Sequence, residues 1–463
     1  MIHLMVAAPA SGSGKTVVTC TLLTALQRRG LNPCAFKCGP DYIDSMFHRA
    51  VLGAESHNLD LFLSDAQRAR ELFVRAAHGH GAAVCESAMG FYDGLGGVTD
   101  AASAWDTARA LDLPVLLIVR ARGAALSLAA VVRGMRDFRR DSHITGVLLN
   151  DCPPALFRTL SATLERETGL PILGCLPRMP EAEFPSRHLG LYTAAEIADL
   201  QARFRVLADA LETNVDMERL LKLYGAAESD DAPLSPPFGG RCRRKATEGG
   251  GVRIAIARDR AFCFLYAETL ETLEAYGAEL VFFSPTRDAA LPANIGGLYL
   301  PGGYPELYAQ MLSENVSMRC AIADAVRGGL PTVAECGGFL YLCKTLRDAH
   351  GVSYPMAGVL PGDGFPCGKL VRFGYATMSA DADSLLFRAG ENVPVHEFHH
   401  WDSTSDGDAL RVEKPVTGRR WRCGFVNDTL YAGFPHLYFY GCPKLAERFV
   451  CAARRYAERT AKA

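Results

Sequence analysis

A cysteine between a predicted buried strand and a predicted helix is the first residue whose setting suggests chemistry. Residues 333–342 read VAECGGFLYL, so Cys336 is followed by Gly337 and Gly338. A cysteine on a tight strand-to-helix turn is held out of the core, and a helix N-terminus favours its thiolate form. The pattern therefore predicts a nucleophile at Cys336, with a buried structural thiol as the alternative.

A thiol nucleophile also needs a base, and its attack creates an oxyanion that needs hydrogen-bond donors. His436, in the stretch YAGFPHLYF, follows a short apolar run and is the candidate base. The turn LPGGYPELY, residues 300–308, lies one predicted strand before the cysteine. Backbone N–H groups of glycines at these two turns are the predicted oxyanion hole. The glycines are Gly302, Gly303 and Gly337.

A phosphate-binding loop is predicted at the N-terminus. Residues 8–16 read APASGSGKT and lie between a predicted strand and a predicted helix. Small residues let backbone N–H groups close around phosphate oxygens, and the helix N-terminus adds partial positive charge. Pro9 replaces the first glycine of the usual GxxxxGK[ST] pattern. The predicted ATP-binding residues are Ser11, Gly12, Ser13, Gly14, Lys15 and Thr16.

Acidic residues follow two of the predicted strands and complete this candidate site. Lys15 would reach the β- and γ-phosphates, and the Thr16 hydroxyl would hold Mg²⁺, which prefers oxygen ligands. Asp41 and Asp44 come just after the second strand, and Glu86 lies near the end of the third. Ligands collect at the carboxyl ends of parallel strands, so all three carboxylates are candidates. A helix cap or a solvated loop residue is the alternative for each.

Composition excludes several other classes of function. A net charge of −2 gives no basic field for nucleic acid, and the longest apolar runs are too short to span a bilayer. The first residues lack the basic and apolar regions of a signal peptide. Fifteen cysteines form no CxxC or CxxH pair, which argues against a zinc or iron–sulfur site. We expect a cytoplasmic protein that binds neither nucleic acid nor membrane.

Short β-rich runs alternate with longer helical runs in both halves of the chain. This alternation predicts an α/β protein with two doubly wound domains built on parallel sheets. Between the two halves, residues 226–251 are rich in Pro, Gly, Ser and mixed charge, as in a linker. The predicted domains are therefore residues 1–225 and 252–463. We also expect residues 338–346, GFLYLCKTL, to be helical.

With these motifs in place, the sequence resembles the cobyrinate a,c-diamide synthase family across nearly its whole length. The resemblance rests on motifs spread along the chain. They are SGSGKT, FKCGPDYIDSMFH, ESAMGFYDG, SRHLGLYTAAE, LPGGYPELYA, AECGGFLYL, RFGYA and HEFHH. The combination of GPDYID, PGGYPELY and AECGG is highly specific.

The resemblance implies a ligase with two domains. The N-terminal domain would be a P-loop ATPase similar to dethiobiotin synthetase, and the C-terminal domain a class I glutamine amidotransferase. Cys336 would attack the amide of L-glutamine, with His436 as base, to give a thioester and ammonia. ATP and Mg²⁺ would activate the a- and c-acetate carboxylates of a tetrapyrrole as acyl phosphates, which ammonia converts to amides. Asp41 and Asp44 would lie at the carboxylate being activated, and Asp41 and Glu86 at the metal.

The chain departs from the family pattern at two positions. Tyr438 stands two residues after His436, where the family often has a second histidine, so no third member of a catalytic triad is assigned. Val395 replaces the glycine that usually precedes HEFH. The spacing H-E-x-H-H is not the HExxH of a metalloprotease. The residues expected in a loop facing the tetrapyrrole are Arg372, Tyr375, His396, Glu397 and His399. The alternatives are the domain interface for the loop and a surface position in a strand for the arginine.

Several alternatives stay open. The same chemistry could act on hydrogenobyrinate or on nickel sirohydrochlorin, and cobyric acid synthase shares the architecture. A different class would be a nucleotide-switched ATPase with a non-catalytic C-terminal binding module. Cys336 and His436 argue against that class, because a binding module has no need of them. A homodimer is one possibility that the sequence does not decide.

Overall fold

The computed structural model describes residues 1–180, 184, 186–187, 190–191, 194–197, 199–225 and 251–461. It divides into two compact units, Met1–Ser235 and Pro236–Ala463. The predicted linker lies outside the described residues except for Gly251, so its boundaries stay predictions. Residues 188–189 and 192–193 of the motif SRHLGLYTAAE also lie outside them.

The N-terminal unit is built on a seven-stranded sheet with the order β3-β2-β4-β1-β5-β6-β7. All of its neighbouring strands run parallel. Its strands are β1 (Ile2–Ala7), β2 (Pro33–Cys38), β3 (His57–Leu59), β4 (Ala82–Glu86), β5 (Val115–Arg120), β6 (Ile144–Asn150) and β7 (Ile172–Leu176). A short antiparallel pair follows, β8 (Ser186–Arg187) and β9 (Gly190–Leu191). The seven parallel strands are almost entirely buried, because helices cover parallel sheets on both faces. This burial explains their continuous apolar runs.

Helices connect the strands of the seven-stranded sheet as βαβ crossovers require. They are α1 (Lys15–Arg28), α2 (Ile43–Leu52), α3 (Ala66–Ala77), α4 (Ala104–Leu111), α5 (Ser127–Asp137) and α6 (Pro154–Thr168). Two further helices, α7 (Leu200–Asn214) and α8 (Met217–Tyr224), follow the last strand of the unit. Side-chain caps mark several starts: Asp65 accepts a hydrogen bond from the N–H of Arg68, and Ser103 from that of Asp106. After α1 the chain turns at Gly30, whose φ of 75° lies in the left-handed region that suits glycine.

The C-terminal unit contains a six-stranded sheet with the order β12-β10-β13-β15-β25-β24. The first five strands are parallel, and β24 joins the edge antiparallel. Its strands are β10 (Val252–Ala257), β12 (Ala278–Phe283), β13 (Gly297–Leu300), β15 (Thr332–Glu335), β24 (Phe425–Val426) and β25 (Leu430–Gly433). Its helices are α9 (Ala267–Ala275), α10 (Ala309–Glu314), α11 (Val316–Arg327), α12 (Gly337–Leu342) and α13 (Pro443–Thr460).

Smaller sheets in the C-terminal unit were not predicted. One pairs β11 (Phe262–Phe264) with β14 (Gly302–Gly303). A four-stranded sheet contains β16 (Thr345–Arg347), β17 (Ser353–Pro355), β18 (Asp363–Pro366) and β21 (Trp401–Ser403). A five-stranded sheet contains β19 (Arg372–Ala380), β20 (Asn392–His399), β22 (Leu410–Glu413), β23 (Arg420–Cys423) and β26 (His436–Leu437). The α/β class with a parallel sheet in each unit is confirmed, with this antiparallel addition.

The predicted helix over residues 338–346 is wrong at its C-terminal end. Helix α12 stops at Leu342, and residues 345–347 form strand β16, which pairs with β17 and β18. The N–H of Lys344 donates to the carbonyl of Gly362, so backbone pairing outside the helix takes over directly after it. A short apolar run has no period that separates a helix from a strand, which explains the error.

Among the helices in the described part of the chain, none is long and apolar enough to cross a membrane.

Candidate active sites

The phosphate loop lies at the carboxyl end of β1 and leads into α1. Gly12 and Gly14 have φ angles of 73° and 89°, a region that favours glycine. A Cβ at Gly14 would lie 2.4 Å from Nδ2 of Asn150, and that amide donates to the carbonyl of Ser13 at 2.9 Å. Ser13 Oγ donates to the carbonyl of Ala10 at 2.8 Å. The Asn150 amide and the hydrogen bond between Ser13 and Ala10 therefore fix the conformation of the loop.

Lys15 lies against the backbone of the loop. Its Nζ donates to the carbonyl of Ala10 at 3.1 Å and to the carbonyl of Met89 at 2.5 Å. Burial and the nearby Lys37 ammonium lower the pKa of Lys15 to about 8. A bound polyphosphate would favour the charged form, since opposite charge nearby raises the pKa of an ammonium group.

Three oxygen-bearing side chains meet next to this loop. The Thr16 hydroxyl lies 2.8 Å from Oε1 of Glu86 and 3.0 Å from Oδ1 of Asp44. Glu86 is the last residue of the central strand β4 and is fully buried. Asp44 lies in the first turn of α2. The structure thus brings Thr16, Asp44 and Glu86 together at one edge of the sheet, whereas the metal ligands predicted from the sequence were Thr16, Asp41 and Glu86.

Lys37 and His48 complete this cluster, and the sequence reasoning missed both. Lys37 Nζ lies 2.6 Å from Oδ2 of Asp44 and 3.1 Å from Oε1 of Glu86. His48 Nε2 lies 2.7 Å from Oε2 of Glu86, and its Nδ1 lies 3.1 Å from Ser56 Oγ. The signal for Lys37 was present in the sequence, because a lysine inside the buried strand PCAFKC needs a charged partner.

Burial and the charges of neighbouring groups shift the pKa values of Glu86, Asp44 and Lys37. Burial alone would raise the pKa of Glu86, but the Lys37 ammonium and the hydrogen bonds from His48 and Thr16 lower it well below its usual range. Burial and the Glu86 charge raise the pKa of Asp44 to about 7, although Lys37 opposes this. Burial disfavours the Lys37 ammonium, yet Asp44 and Glu86 raise its pKa. Asp44 is therefore the carboxylate that is most easily protonated.

Asp41 has a different setting from the other two acids. Its Oδ1 accepts hydrogen bonds from the N–H groups of Ile43 and Asp44, at 2.7 and 3.1 Å. This is the helix-capping alternative that the sequence left open, and it positions Asp44 at the start of α2. Contact of Asp41 with a metal or a substrate stays a prediction.

The donor set of this cluster fits Mg²⁺. The Thr16 hydroxyl and the Asp44 and Glu86 carboxylates offer the hard oxygen ligands that this ion prefers. Among the described residues, no group of three or more His, Cys, Asp or Glu side chains is arranged to hold a metal ion. Mg²⁺ usually combines one or two carboxylates with phosphate oxygens and water, so this set matches a nucleotide-bound ion.

In the C-terminal unit, Cys336 forms the predicted sharp turn between β15 and α12. Its φ of 47° and ψ of −101° are unusual for a residue with a side chain, and such a conformation costs about 1–3 kcal/mol. The Cys336 N–H donates to the carbonyl of Gly433 at 2.8 Å. A Cβ at Gly338 would lie 2.0 Å from the carbonyl oxygen of Leu300, so only glycine lets α12 approach β13 here.

The structure brings the predicted oxyanion glycines and His436 together around this turn. A Cβ at Gly302 would lie 2.5 Å from Cε1 of His436, and a Cβ at Gly337 would lie 3.0 Å from the nitrogen of Gly303. Gly433 pairs with Glu335 across β25 and β15, and His436 follows three residues later. Cys336 is 6% exposed and His436 is 2% exposed. Both predicted catalytic side chains thus lie at the carboxyl edge of one sheet.

The surroundings of Cys336 oppose the thiolate that a helix N-terminus would favour. Burial raises the pKa of the Cys336 thiol, and the Glu306, Glu397 and Glu335 carboxylates raise it further. Helix α12, which follows, has only six residues. The resting residue is a neutral thiol, so its attack depends on a base.

Glu335, directly before the cysteine, is the residue of this site that the sequence reasoning missed. It is fully buried, and its Oε2 lies 3.7 Å from Nδ1 of His436. Its Oε1 accepts from the N–H of Leu437 at 3.1 Å, and the Tyr299 hydroxyl donates to Oε2 at 3.1 Å. A charged residue that ends the buried strand TVAE was the available signal.

The residues expected in a tetrapyrrole-facing loop lie instead in strands. Arg372 and Tyr375 are in β19, opposite His399 and His396 of β20. Arg372 is engaged by Asp406, with both terminal nitrogens 3.0 Å from Oδ2. This corrects the loop prediction, because the pairing of β19 with β20 holds both segments in strands. For Arg372 the alternative of a position in a strand is the correct one.

The side chains of His396, Glu397 and His399, in the motif HEFH, are also buried. His396 is 6% exposed, Glu397 is fully buried, and His399 stacks on Phe434 with ring centroids 3.9 Å apart. Burial raises the pKa of Glu397 to about 7 and lowers that of His399 to about 3. Their contact with a tetrapyrrole stays a prediction that this burial does not favour.

Comparisons with known proteins match both halves of the chain. A family model described as a CobQ/CobB/MinD/ParA nucleotide binding domain matches residues 4–191, and a CobB/CobQ-like glutamine amidotransferase domain matches residues 253–442. A cobyrinate a,c-diamide synthase of Caldanaerobacter subterraneus is 37% identical over 449 residues, covering 96% of this chain and 97% of that relative. The chain belongs to the cobyrinate a,c-diamide synthase family.

Other members of this family match just as completely. The relative from Listeria innocua is 35% identical, covering 98% of this chain and 100% of its own length. The relative from Picrophilus torridus is also 35% identical, covering 96% of this chain and 98% of its own length. The family recognised from the motifs is therefore confirmed, as is its class of ATP-driven, glutamine-dependent amidotransferases. A nucleotide-switched ATPase with a non-catalytic C-terminal module is not favoured.

The buried cluster generates a prediction for stability. Replacing Lys37 with methionine leaves Asp44 and Glu86 without their shared ammonium group, which should lower the free energy of unfolding by about 3–5 kcal/mol. Urea denaturation without nucleotide measures this. The loss should be smaller at pH 5 than at pH 8, because protonation of the two carboxylates removes the unpaired charge.

Arg28→Met is the matched control in the same unit. Arg28 pairs with Asp209 at 2.7 Å on the surface, and such pairs contribute about 0–1 kcal/mol. A Lys37→Met variant as stable as this control would contradict the account of the cluster.

Proposed function

We propose that this enzyme converts the a- and c-acetate carboxylates of cobyrinate to amides, using ATP and L-glutamine. The observation that carries the proposal is the match of nearly the whole chain to relatives named cobyrinate a,c-diamide synthase. The two candidate sites supply the two half-reactions that such a synthesis needs. Hydrogenobyrinate and nickel sirohydrochlorin are alternative substrates for the same chemistry.

In the glutaminase half-reaction, His436 takes the proton from Cys336 as the sulfur attacks the carboxamide carbon of glutamine. The N–H groups of Gly303 and Gly337 stabilise the oxyanion of the tetrahedral intermediate. Its collapse breaks the C–N bond, and protonated His436 returns a proton to the leaving ammonia. Water then hydrolyses the thioester to glutamate. The neutral thiol of the resting state makes His436 essential for each turnover.

In the ATP-dependent half-reaction, the phosphate loop and Lys15 hold the triphosphate, and the Lys37–Asp44–Glu86 cluster lies beside it. A substrate carboxylate oxygen attacks the γ-phosphorus, ADP leaves, and an acyl phosphate forms. Ammonia attacks the acyl carbon and phosphate leaves, which gives the amide. Positioning and charge stabilisation supply most of the catalysis in such phosphoryl transfers.

Mg²⁺ would be held by Thr16, Asp44 and Glu86, and would offset the negative charge of the phosphates. Lys37 joins the site by fixing both carboxylates through one ammonium group. A part for Asp41 in binding the metal or the substrate carboxylate belongs to the same proposal. A cytoplasmic location and a homodimer are further proposals.

The substrate can be tested by mass spectrometry. We expect cobyrinate, supplied with ATP, Mg²⁺ and glutamine, to lose about one dalton twice in succession, because each amidation replaces OH with NH₂. Hydrogenobyrinate and nickel sirohydrochlorin are assayed separately under the same conditions. If none of the three tetrapyrroles changes mass, the proposed substrate class is wrong.

Cys336→Ala should lower glutamine-dependent amidation by about 10³-fold or more, since removal of a nucleophile leaves only binding contributions. Amidation with ammonium chloride should continue, because it bypasses the thioester. The control is Cys320→Ala, which removes an exposed cysteine of the same unit and should leave both rates unchanged. Equal glutamate release by both variants would contradict the role of Cys336.

Thr16→Val should have the complementary effect. Loss of the hydroxyl beside Asp44 and Glu86 should lower the rate of amidation by about 10²-fold or more with either nitrogen source. Glutamine hydrolysis in the absence of ATP should persist. Thr24→Val is the matched control on the same helix, because the Thr24 hydroxyl bonds only to the carbonyl of Cys20 in the contacts described. Equal amidation rates in the two variants would contradict the proposed nucleotide site.

A further inference from the structure

The proposed nucleophile and its base both lie next to one buried carboxylate, that of Glu335. Glu335 ends strand β15, so the next residue in the chain is Cys336. On the neighbouring strand, Gly433 pairs with Glu335, and His436 follows in β26. The Glu335 side chain therefore lies between the end of its own strand and the segment that carries the histidine.

Three groups surround the Glu335 carboxylate. Oε1 accepts from the N–H of Leu437, the residue directly after His436, at 3.1 Å. Oε2 accepts from the Tyr299 hydroxyl at 3.1 Å and lies 3.7 Å from Nδ1 of His436. One oxygen thus holds the backbone beside the histidine, and the other faces its ring. Each oxygen of this fully buried carboxylate therefore accepts a hydrogen bond.

The side chain two residues after His436 does not offer such an anion. Tyr438, two residues after His436, packs its ring against Tyr266 with centroids 5.1 Å apart. Titratable side chains near His436 include His396, which pairs with it across β20 and β26, and His399. Glu397, between these two histidines in the chain, is also buried. The carboxylate described against the His436 ring is that of Glu335.

We infer that Glu335 is the positioning residue of the glutaminase site and serves as the third member of a Cys336–His436–Glu335 triad. The inference rests on the proposed function. The anion holds a proton on Nδ1 of His436, so the lone pair of Nε2 is left to accept the thiol proton. It also stabilises the imidazolium that forms as the thioester is made. The acid comes from the strand before the nucleophile instead of from the segment after the base.

The test is Glu335→Gln in the full-length enzyme. This variant keeps the size of the side chain and removes its charge. We expect kcat for glutamine hydrolysis to fall by about 10²–10⁴-fold, with KM for glutamine changed little. The acid limb of the kcat/KM profile should move to lower pH, because the imidazolium loses its anion. A role in packing alone would not move that limb.

Two further variants separate positioning from other effects. Glu335→Asp restores the charge at a shorter reach and should recover part of the activity. Glu306→Gln removes another carboxylate that raises the pKa of the Cys336 thiol. If Glu335 acted only as a charge near the sulfur, both glutamine variants would change the rate in the same direction. We expect a large loss for Glu335→Gln and no loss for Glu306→Gln.

Amidation with ammonium chloride is measured in parallel and should match the wild-type rate in Glu335→Gln, because that reaction uses the N-terminal unit. Thermal unfolding followed by circular dichroism, compared with the wild-type enzyme, shows whether the C-terminal unit of the variant is folded. A wild-type rate of glutamine hydrolysis in this variant would overturn the inference and leave the proposed function intact. If Glu335→Gln fails to fold, Glu335→Ser, which also removes the carboxylate, takes its place, and a wild-type rate of glutamine hydrolysis in that variant would equally overturn the inference. Absence of glutamine hydrolysis in the wild-type enzyme would instead overturn the proposed function.

Discussion

Each unit depends on a fully buried carboxylate at the carboxyl end of a central parallel strand. In the N-terminal unit this is Glu86, and in the C-terminal unit it is Glu335. Removing an ionised carboxylate from water is expensive unless it is paired and hydrogen-bonded. The neighbouring strands and helices must therefore supply donors at fixed places. Lys37, His48 and Thr16 do so for the first acid, and Tyr299 and the N–H of Leu437 for the second.

The two sites use this constraint for different chemistry. Around Glu86, two carboxylates, one ammonium and a hydroxyl form a compact polar group beside the phosphate loop, suited to a charged phosphoryl group. Around Glu335, the same burial keeps the adjacent thiol neutral, because water is excluded and further carboxylates are near. The turn at Cys336 then fixes the sulfur in a strained conformation that glycine neighbours accommodate. Activation of the thiol therefore depends on proton transfer to His436.

The sequence was sufficient to predict features whose geometry depends on residues close together in the chain. The phosphate loop, the turn at Cys336 and the alternation of parallel strands with helices all depend on short-range spacing. It was insufficient where chain segments far apart in sequence meet. The antiparallel sheet that contains HEFH pairs His396 with His436, 40 residues later (436 − 396 = 40). The contact of Glu335 with the segment of His436 spans 102 residues. Charged residues inside apolar strands, at Lys37 and Glu335, were the signals that a closer reading could have used.

The central claim is that Cys336 carries the glutamyl group during nitrogen release. Rapid acid quenching of the enzyme with glutamine, followed by peptide mass spectrometry, tests it directly. The account predicts a glutamyl thioester on the peptide that contains Cys336, with no modification of the other cysteines. Steady glutamine hydrolysis with the adduct on a different cysteine would contradict it.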